Sequence, residues 1–277
     1  GGPPPPKMIP RKDFEYSLGK LEIVTYGTEL PENEKKYFRE KADELIQQFE
    51  DSTGFKPPKG FYYQVYYYKD RNQFAQVTGK DPNRLGGITY WNYTTANKIA
   101  PIHCWGGFNV VLHEMVHGIT WPAYGDMPLF MVEGFAEWVA YEFLFNRTQK
   151  KNYDLPSKVN FLAQMIRANR LPSLDDYLQS QTYIQWRGMF GRIPIGYGAA
   201  VLLVDYLLAT DKKWTQQALE YCRKAGPTRR QRTLAFFQYA KDNWPGGLSA
   251  MEKGWQAWIL KKEKELKNPP GTNHATE

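Results

Sequence analysis

Along the first hundred residues the hydrophobic pattern alternates between two periods. Lys20-Leu21-Glu22-Ile23-Val24-Thr25-Tyr26 interleaves apolar and polar side chains, which predicts a half-buried strand. Tyr37, Phe38, Ala42, Leu45, Ile46 and Phe49 then recur at helical spacing. Pro31 suits the first turn of that helix, Glu32 and Glu34 suit its positive end, and Gly54 stops it. Phe61 to Tyr68, bounded by Lys59-Gly60 and Asp70, predicts a second strand, and Asp70 to Gly79 a short helix carrying Phe74. Gly86-Gly87-Ile88-Thr89-Tyr90-Trp91 and Lys98-Ile99-Ala100-Pro101-Ile102 predict two further short strands. Residues 19–106 are thus expected to form a lobe in which one long helix crosses a small mixed sheet.

From residue 107 onward helical spacing dominates. It predicts helices over Asn109 to Thr120, Leu129 to Phe145, Val159 to Ala168, Tyr197 to Leu208 and Trp214 to Arg223. A last amphipathic helix, Leu248 to Leu266, precedes Pro269-Pro270. Residues 107–267 are therefore expected to be a mostly helical lobe, flanked by a Pro-rich start at 1–18 and a tail at 268–277. No solenoid-length repeat is present. The expected fold class is α+β, with the helix that begins near Asn109 at the seam between lobes.

Composition narrows the function classes. A chain of 277 residues buries a real core without disulfides. The net charge of +7 is spread along the chain. Its densest runs, Arg229-Arg230-Gln231-Arg232 and Lys261-Lys262-Glu263-Lys264, read as solvated helix faces, so no nucleic-acid partner is expected. Cys104 and Cys222 lack CxxC spacing and indicate neither a cysteine metal site nor a disulfide framework, although one bridge between them stays open. No apolar run approaches the roughly 20 residues of a membrane span. The longest, Ala199 to Ala209, is broken by Asp205, so no span is expected. The start Gly1-Gly2-Pro3-Pro4-Pro5-Pro6 lacks a Met and reads as processed or artificial. With the glycosylation sequons Asn92-Tyr93-Thr94 and Asn146-Arg147-Thr148, it points to a secreted or extracytoplasmic protein, expected to be a monomer.

The candidate chemistry lies in His113-Glu114-Met115-Val116-His117, inside an apolar helix. Residues four apart on a helix project the same way, so His113 and His117 can offer ring nitrogens to one Zn2+ ion. Burying two imidazoles and a carboxylate without an ion would be costly. Glu114 lies beside them, placed to act as general base. A metzincin would carry a third His where Ala123 stands, so a carboxylate must complete the set. Asp126, Glu133 and Glu137 are the candidates. Glu133 and Glu137 share one helical face, so Glu133 is taken as the ligand and Glu137 as its support.

HExxH followed by Val132-Glu133-Gly134-Phe135-Ala136-Glu137-Trp138 resembles the gluzincins, zinc peptidases whose third ligand is the Glu of a Glu-Gly-x-Ala helix. It is still more similar to the small peptidase-MA-like proteins. The motifs cover residues 113–138, with looser similarity from about 20 to 260. The resemblance implies His113, His117 and Glu133 as zinc ligands and Glu114 as base. In thermolysin-like enzymes an acid four residues past the ligand supports the first histidine, and Glu137 stands at that offset. The thermolysin ligand itself lies twenty residues past the second histidine, which also fits Glu137, so the two roles remain exchangeable. Gluzincins commonly add a downstream Tyr or His at the oxyanion, and Ile195-Gly196-Tyr197-Gly198-Ala199 resembles that helix start, which makes Tyr197 the candidate. His103 and His274 read as structural or surface residues, with His103 a minor candidate for the cleft.

The Gly-x-Met-Glu-Asn stretch of the aminopeptidases is missing, and no acidic residue occurs between Pro82 and Leu112. An endopeptidase acting on peptide or protein substrates is therefore expected, with Gly87 to Trp91 or Lys98 to Ile102 as the edge strand for an extended chain. Trp91, Trp105, Trp121 and Trp138 are candidates for apolar subsites, with core packing an equal alternative. The rival reading, motivated by an aromatic content of 16%, is a non-catalytic glycan- or protein-binding module that keeps zinc as a structural or vestigial feature. A third is an inert helical domain without metal.

Overall fold

The computed structural model describes residues 16–18, 21–27, 29–56, 61–90, 99–106, 108–145 and 155–268. Residues 1–15 of the Pro-rich start, both sequons, Trp91, His274 and residues 269–277 of the tail lie outside the described residues. The rest fall into two compact units: the described parts of 1–125 with those of 139–150, and the described parts of 126–138 with those of 151–277. The chain is α+β, with a small mixed sheet in the first unit and a run of helices in the second.

The first unit contains β1 (Tyr16–Leu18), β2 (Leu21–Tyr26), α1 (Glu32–Thr53), β3 (Tyr62–Tyr68), α2 (Arg71–Thr78), β4 (Gly87–Thr89), β5 (Ile99–Cys104) and α3 (Phe108–Tyr124). The sheet order is β1-β2-β3-β5-β4. β2, β3 and β5 run parallel, with Val24 opposite Tyr66 and Val65 opposite Ile102, while β1 and β4 close the two ends antiparallel. The parallel step from β2 to β3 needs a long crossover, which α1 supplies. Central parallel strands are covered on both faces, and β3 accordingly buries Tyr63, Val65, Tyr66 and Tyr68 in near-continuous succession. On α1 the predicted stripe of Phe38, Ala42, Leu45, Ile46 and Phe49 is buried, and Gly54 ends the helix at φ 80°. Asp70 caps α2 by accepting from the amides of Asn72 and Gln73.

The expected lobe boundary at 106/107 differs from this division, because α3 groups with the sheet. Val111, Leu112, Met115, Val116 and Ile119 of α3 are fully buried, and the helix packs on β5, β4 and α1. Gly87 permits that packing. A Cβ there would stand 2.9 Å from Val110 Cγ1 and 3.1 Å from Glu114 Cγ.

The second unit contains the first part of α4 (Leu129–Phe145), then α5 (Leu155–Arg167), α6 (Leu174–Gln179), α7 (Tyr183–Phe190), α8 (Ile193–Lys224), α9 (Arg229–Asn243) and α10 (Gly247–Lys267). The two helices predicted separately follow one another across a kink here. α8 is kinked at Asp211 (φ −155°, ψ 86°), whose carboxylate accepts from the Trp214 amide and restarts the helix. The short α6 and α7 and the weakly amphipathic α9 escape periodicity, yet Ser173, Thr182 and Thr228 cap them, the last two in capping boxes with Gln185 and Gln231.

The two charged runs are not simply solvated faces. Arg232 is buried and donates to the carbonyls of Gly226 and Arg223 at the end of α8. Glu263 is buried and takes a two-pronged contact from Arg167. Asp205, which interrupts the apolar run of α8, accepts from the indoles of Trp138 (3.0 Å) and Trp258 (2.8 Å). α8 has the length and hydropathy of a membrane span, but most of that stretch is buried inside the protein. Cys104 and Cys222 are each buried, and the bridge left open between them is not formed.

Candidate metal centre

The candidate residues sit on helices whose apolar faces are buried. On α3 the buried Val111, Leu112, Met115, Val116 and Ile119 leave His113 and His117 together on the next face. Their Nε2 atoms lie 2.9 Å apart, with the rings edge-on at 79°. His117 is buried and His113 half-buried. Glu114 is half-buried beside them, and its Oε2 accepts a 2.7 Å hydrogen bond from the Thr89 hydroxyl of β4. That hydroxyl also lies 3.0 Å from the Glu114 carbonyl oxygen.

On α4, Glu133 is 3% exposed. Its Oε1 accepts from the Tyr183 hydroxyl at the start of α7. The Tyr183 and Tyr197 rings stack at 5.9 Å, and their hydroxyls are hydrogen-bonded. Burial pushes the phenols of Tyr177, Tyr183 and Tyr197 up, and the negative charge of Glu133 pushes each further. Gly134, next to the carboxylate, sets how closely α4 approaches α8. A Cβ there would meet Ala200 O at 2.8 Å and Val204 Cγ2 at 2.7 Å.

One ligand atom from each of His113, His117 and Glu133 lies within 4.8 Å of the others. This donor set fits a zinc ion. Tetrahedral ligands at 2.0–2.1 Å stand about 3.3 Å from one another, so the imidazole nitrogens need open only slightly around an ion. The chemistry agrees as well: two imidazoles and a buried carboxylate suit zinc.

The remaining candidates fall elsewhere. Glu137, one turn beyond Glu133, is half-buried and outside the three-ligand group, and its charge acts on Tyr197. Asp126 is paired with Arg229 at 2.9 Å, and Arg229 also donates to the Met127 carbonyl. His103 sits in the sheet core, 2.6 Å from the Tyr68 hydroxyl and stacked on Tyr66 at 4.3 Å. Burial pushes its pKa down to about 3. Trp138 is committed to Asp205, and Trp105 donates to the Leu85 carbonyl. The Trp121 side chain is outside the described residues. Of the two strands offered as an edge, β5 is paired on both sides, and among the described strands β4 lies at the end of the sheet.

Two residues at the site were not anticipated, Thr89 and Tyr183. Gly86-Gly87 hinted that a strand approaches another element closely, and Thr182 with Gln185 marked the helix start that carries Tyr183. Neither signal names a partner. No protein-family profile matches the chain, and no curated protein does. The likeness to gluzincins therefore rests on the two motifs.

Proposed function

We propose that this protein is a zinc-dependent peptide-bond hydrolase of the gluzincin type that cleaves within peptide or protein chains. The observation that carries the reading is the convergence of His113, His117 and Glu133 with Glu114 one residue from the first ligand. When bound there, zinc supplies the Lewis acidity that polarises a carbonyl and acidifies water. Glu114 accepts the proton of the attacking water and passes it to the leaving amine. Thr89 engages Oε2 of that carboxylate, which leaves Oε1 as the basic oxygen. Tyr197 is the candidate donor to the developing oxyanion; its single O–H is directed at Tyr183 in this structure and would have to turn to the substrate to serve there. β4, at the end of the sheet and beside Glu114, offers the edge for an extended substrate.

Metal analysis of protein purified in plain buffer, joined to cleavage of a peptide library with and without chelator, tests this reading. Stoichiometric zinc, chelator-sensitive cleavage and internal product termini are expected. Glu114→Gln should keep the metal and lose turnover by on the order of 10²–10⁴-fold. Full activity in that variant would overturn the assignment. Zinc without cleavage by the wild type would favour a binding module, and absence of metal would sink both.

A further inference from the structure

We propose that Tyr183 is a positioning residue for Glu133, and that Tyr197 supports it, so that two phenols in series commit Oε1 of the carboxylate to hydrogen bonding and Oε2 to the ion. The proposal rests on the metallopeptidase reading and adds to it residues that control one ligand. A carboxylate can meet a metal through one oxygen or both, and the difference decides how much of the coordination sphere is left for water and substrate. A phenol donating to Oε1 forms a charge-assisted bond and biases the group toward the single-oxygen mode.

The arrangement is built in advance. Tyr183, although 39% exposed, has its ring stacked on Tyr197 and edge-on to Trp186 at 5.8 Å. Tyr197 meets the same indole edge-on at 5.4 Å. Trp186 is fully buried and anchored through its Nε1, which donates to Ser180 Oγ at 2.9 Å. Gly196 makes room for it, since a Cβ at that position would fall 2.5 Å from Trp186 Cε3. The backbone of Tyr183 is set by the Thr182–Gln185 capping box directly before it. Tyr183 gives its one proton to Glu133, so its oxygen is left to accept from Tyr197. A ring held this way delivers its hydroxyl with little freedom left to lose on metal binding.

The test uses the full chain with Tyr183→Phe, Tyr197→Phe and, as a control, Tyr221→Phe at an exposed site on α8. Three readouts are needed: the Zn2+ dissociation constant by competition with a chromogenic chelator, the visible spectrum at saturating Co2+, and thermal melting of the apoprotein. Tyr183→Phe keeps the ring and should melt near the wild type, yet bind Zn2+ on the order of 10-fold more weakly. Its Co2+ bands should change, because the carboxylate gains freedom to use both oxygens. Tyr197→Phe should weaken binding in the same direction but less, and Tyr221→Phe should match the wild type. Wild-type affinity together with a wild-type cobalt spectrum in Tyr183→Phe overturns the proposal while leaving the peptidase reading intact. Metal binding that depends on Tyr183, in a wild type that cleaves no peptide, supports the relay and refutes the peptidase. If the spectrum at saturation is unchanged and only melting falls, Tyr183 is structural and the proposal fails.

Discussion

Gly134 stands beside Glu133, and replacing it with Ala tests whether the close approach of α4 to α8 holds the ligand in place. The added Cβ would lie 2.8 Å from the Ala200 carbonyl oxygen and 2.7 Å from Val204 Cγ2, against 3.4–4 Å for ordinary contact. Val204 can yield by turning its side chain, but the carbonyl is backbone, so the helices must separate by roughly 0.6 Å or more to restore normal contact. Overpacking of this kind costs about 1–3 kcal/mol, and the better helix propensity of Ala offsets about 1 kcal/mol of it. The net expectation is a loss of about 0–2 kcal/mol, or a melting temperature lower by up to roughly 8 °C in a chain of this size. Glu133 moves with the backbone, so zinc affinity should fall as well. Gly188→Ala is the internal reference. It lies in α7 with nothing within 4 Å of its Cβ position, and should stabilise by about 0.5–1 kcal/mol without touching metal binding. Thermal melting of the apoproteins and chelator competition read both effects. A Gly134→Ala variant as stabilised as Gly188→Ala, with unchanged zinc affinity, would refute the close-approach argument.

Two further outcomes follow from groups away from the candidate metal ligands. Asp205→Ala removes the acceptor of two indoles and should cost about 2–4 kcal/mol in urea unfolding, whereas Asp205→Asn keeps one acceptor and should lose roughly half as much; a change under about 0.5 kcal/mol in Asp205→Ala would discount the two bonds. His103 makes stability depend on pH: its folded pKa of about 3 lies below the unfolded value, so the unfolded chain binds more protons between about 6.5 and 3. Stability should therefore fall as pH drops through that window, by about 1.6 kcal/mol from pH 6.5 to 5, and His103→Gln should flatten this part of the profile; an equal slope in the variant would assign the dependence elsewhere.

Local pattern carried the chain a long way. Strands β2, β3, β4 and β5 and helices α1, α2, α4 and α10 were legible because their period depends on near neighbours alone. His113, Glu114 and His117 were legible for the same reason, since one helical turn brings them together whatever else the chain does. The Glu-Gly-x-Ala-Glu segment narrowed the third ligand to two residues on one face, and spacing could go no further: 133 and 137 are equivalent on an isolated helix.

What the tertiary structure decided is where those local pieces meet. Among the described residues, Glu133 and not Glu137 falls in the group that could hold a metal, and Asp126 is tied to Arg229, a residue from α9. The fold put Thr89 on Glu114 and Tyr183 on Glu133 across separations of 25 and 50 residues, contacts that leave no period in the sequence. It also grouped α3 with the sheet and gave Asp205 its two indoles, explaining a charge that had looked like a break in an apolar run. Periodicity records which face of an element is buried, whereas the hydroxyl that meets a given carboxylate is set by how distant elements pack.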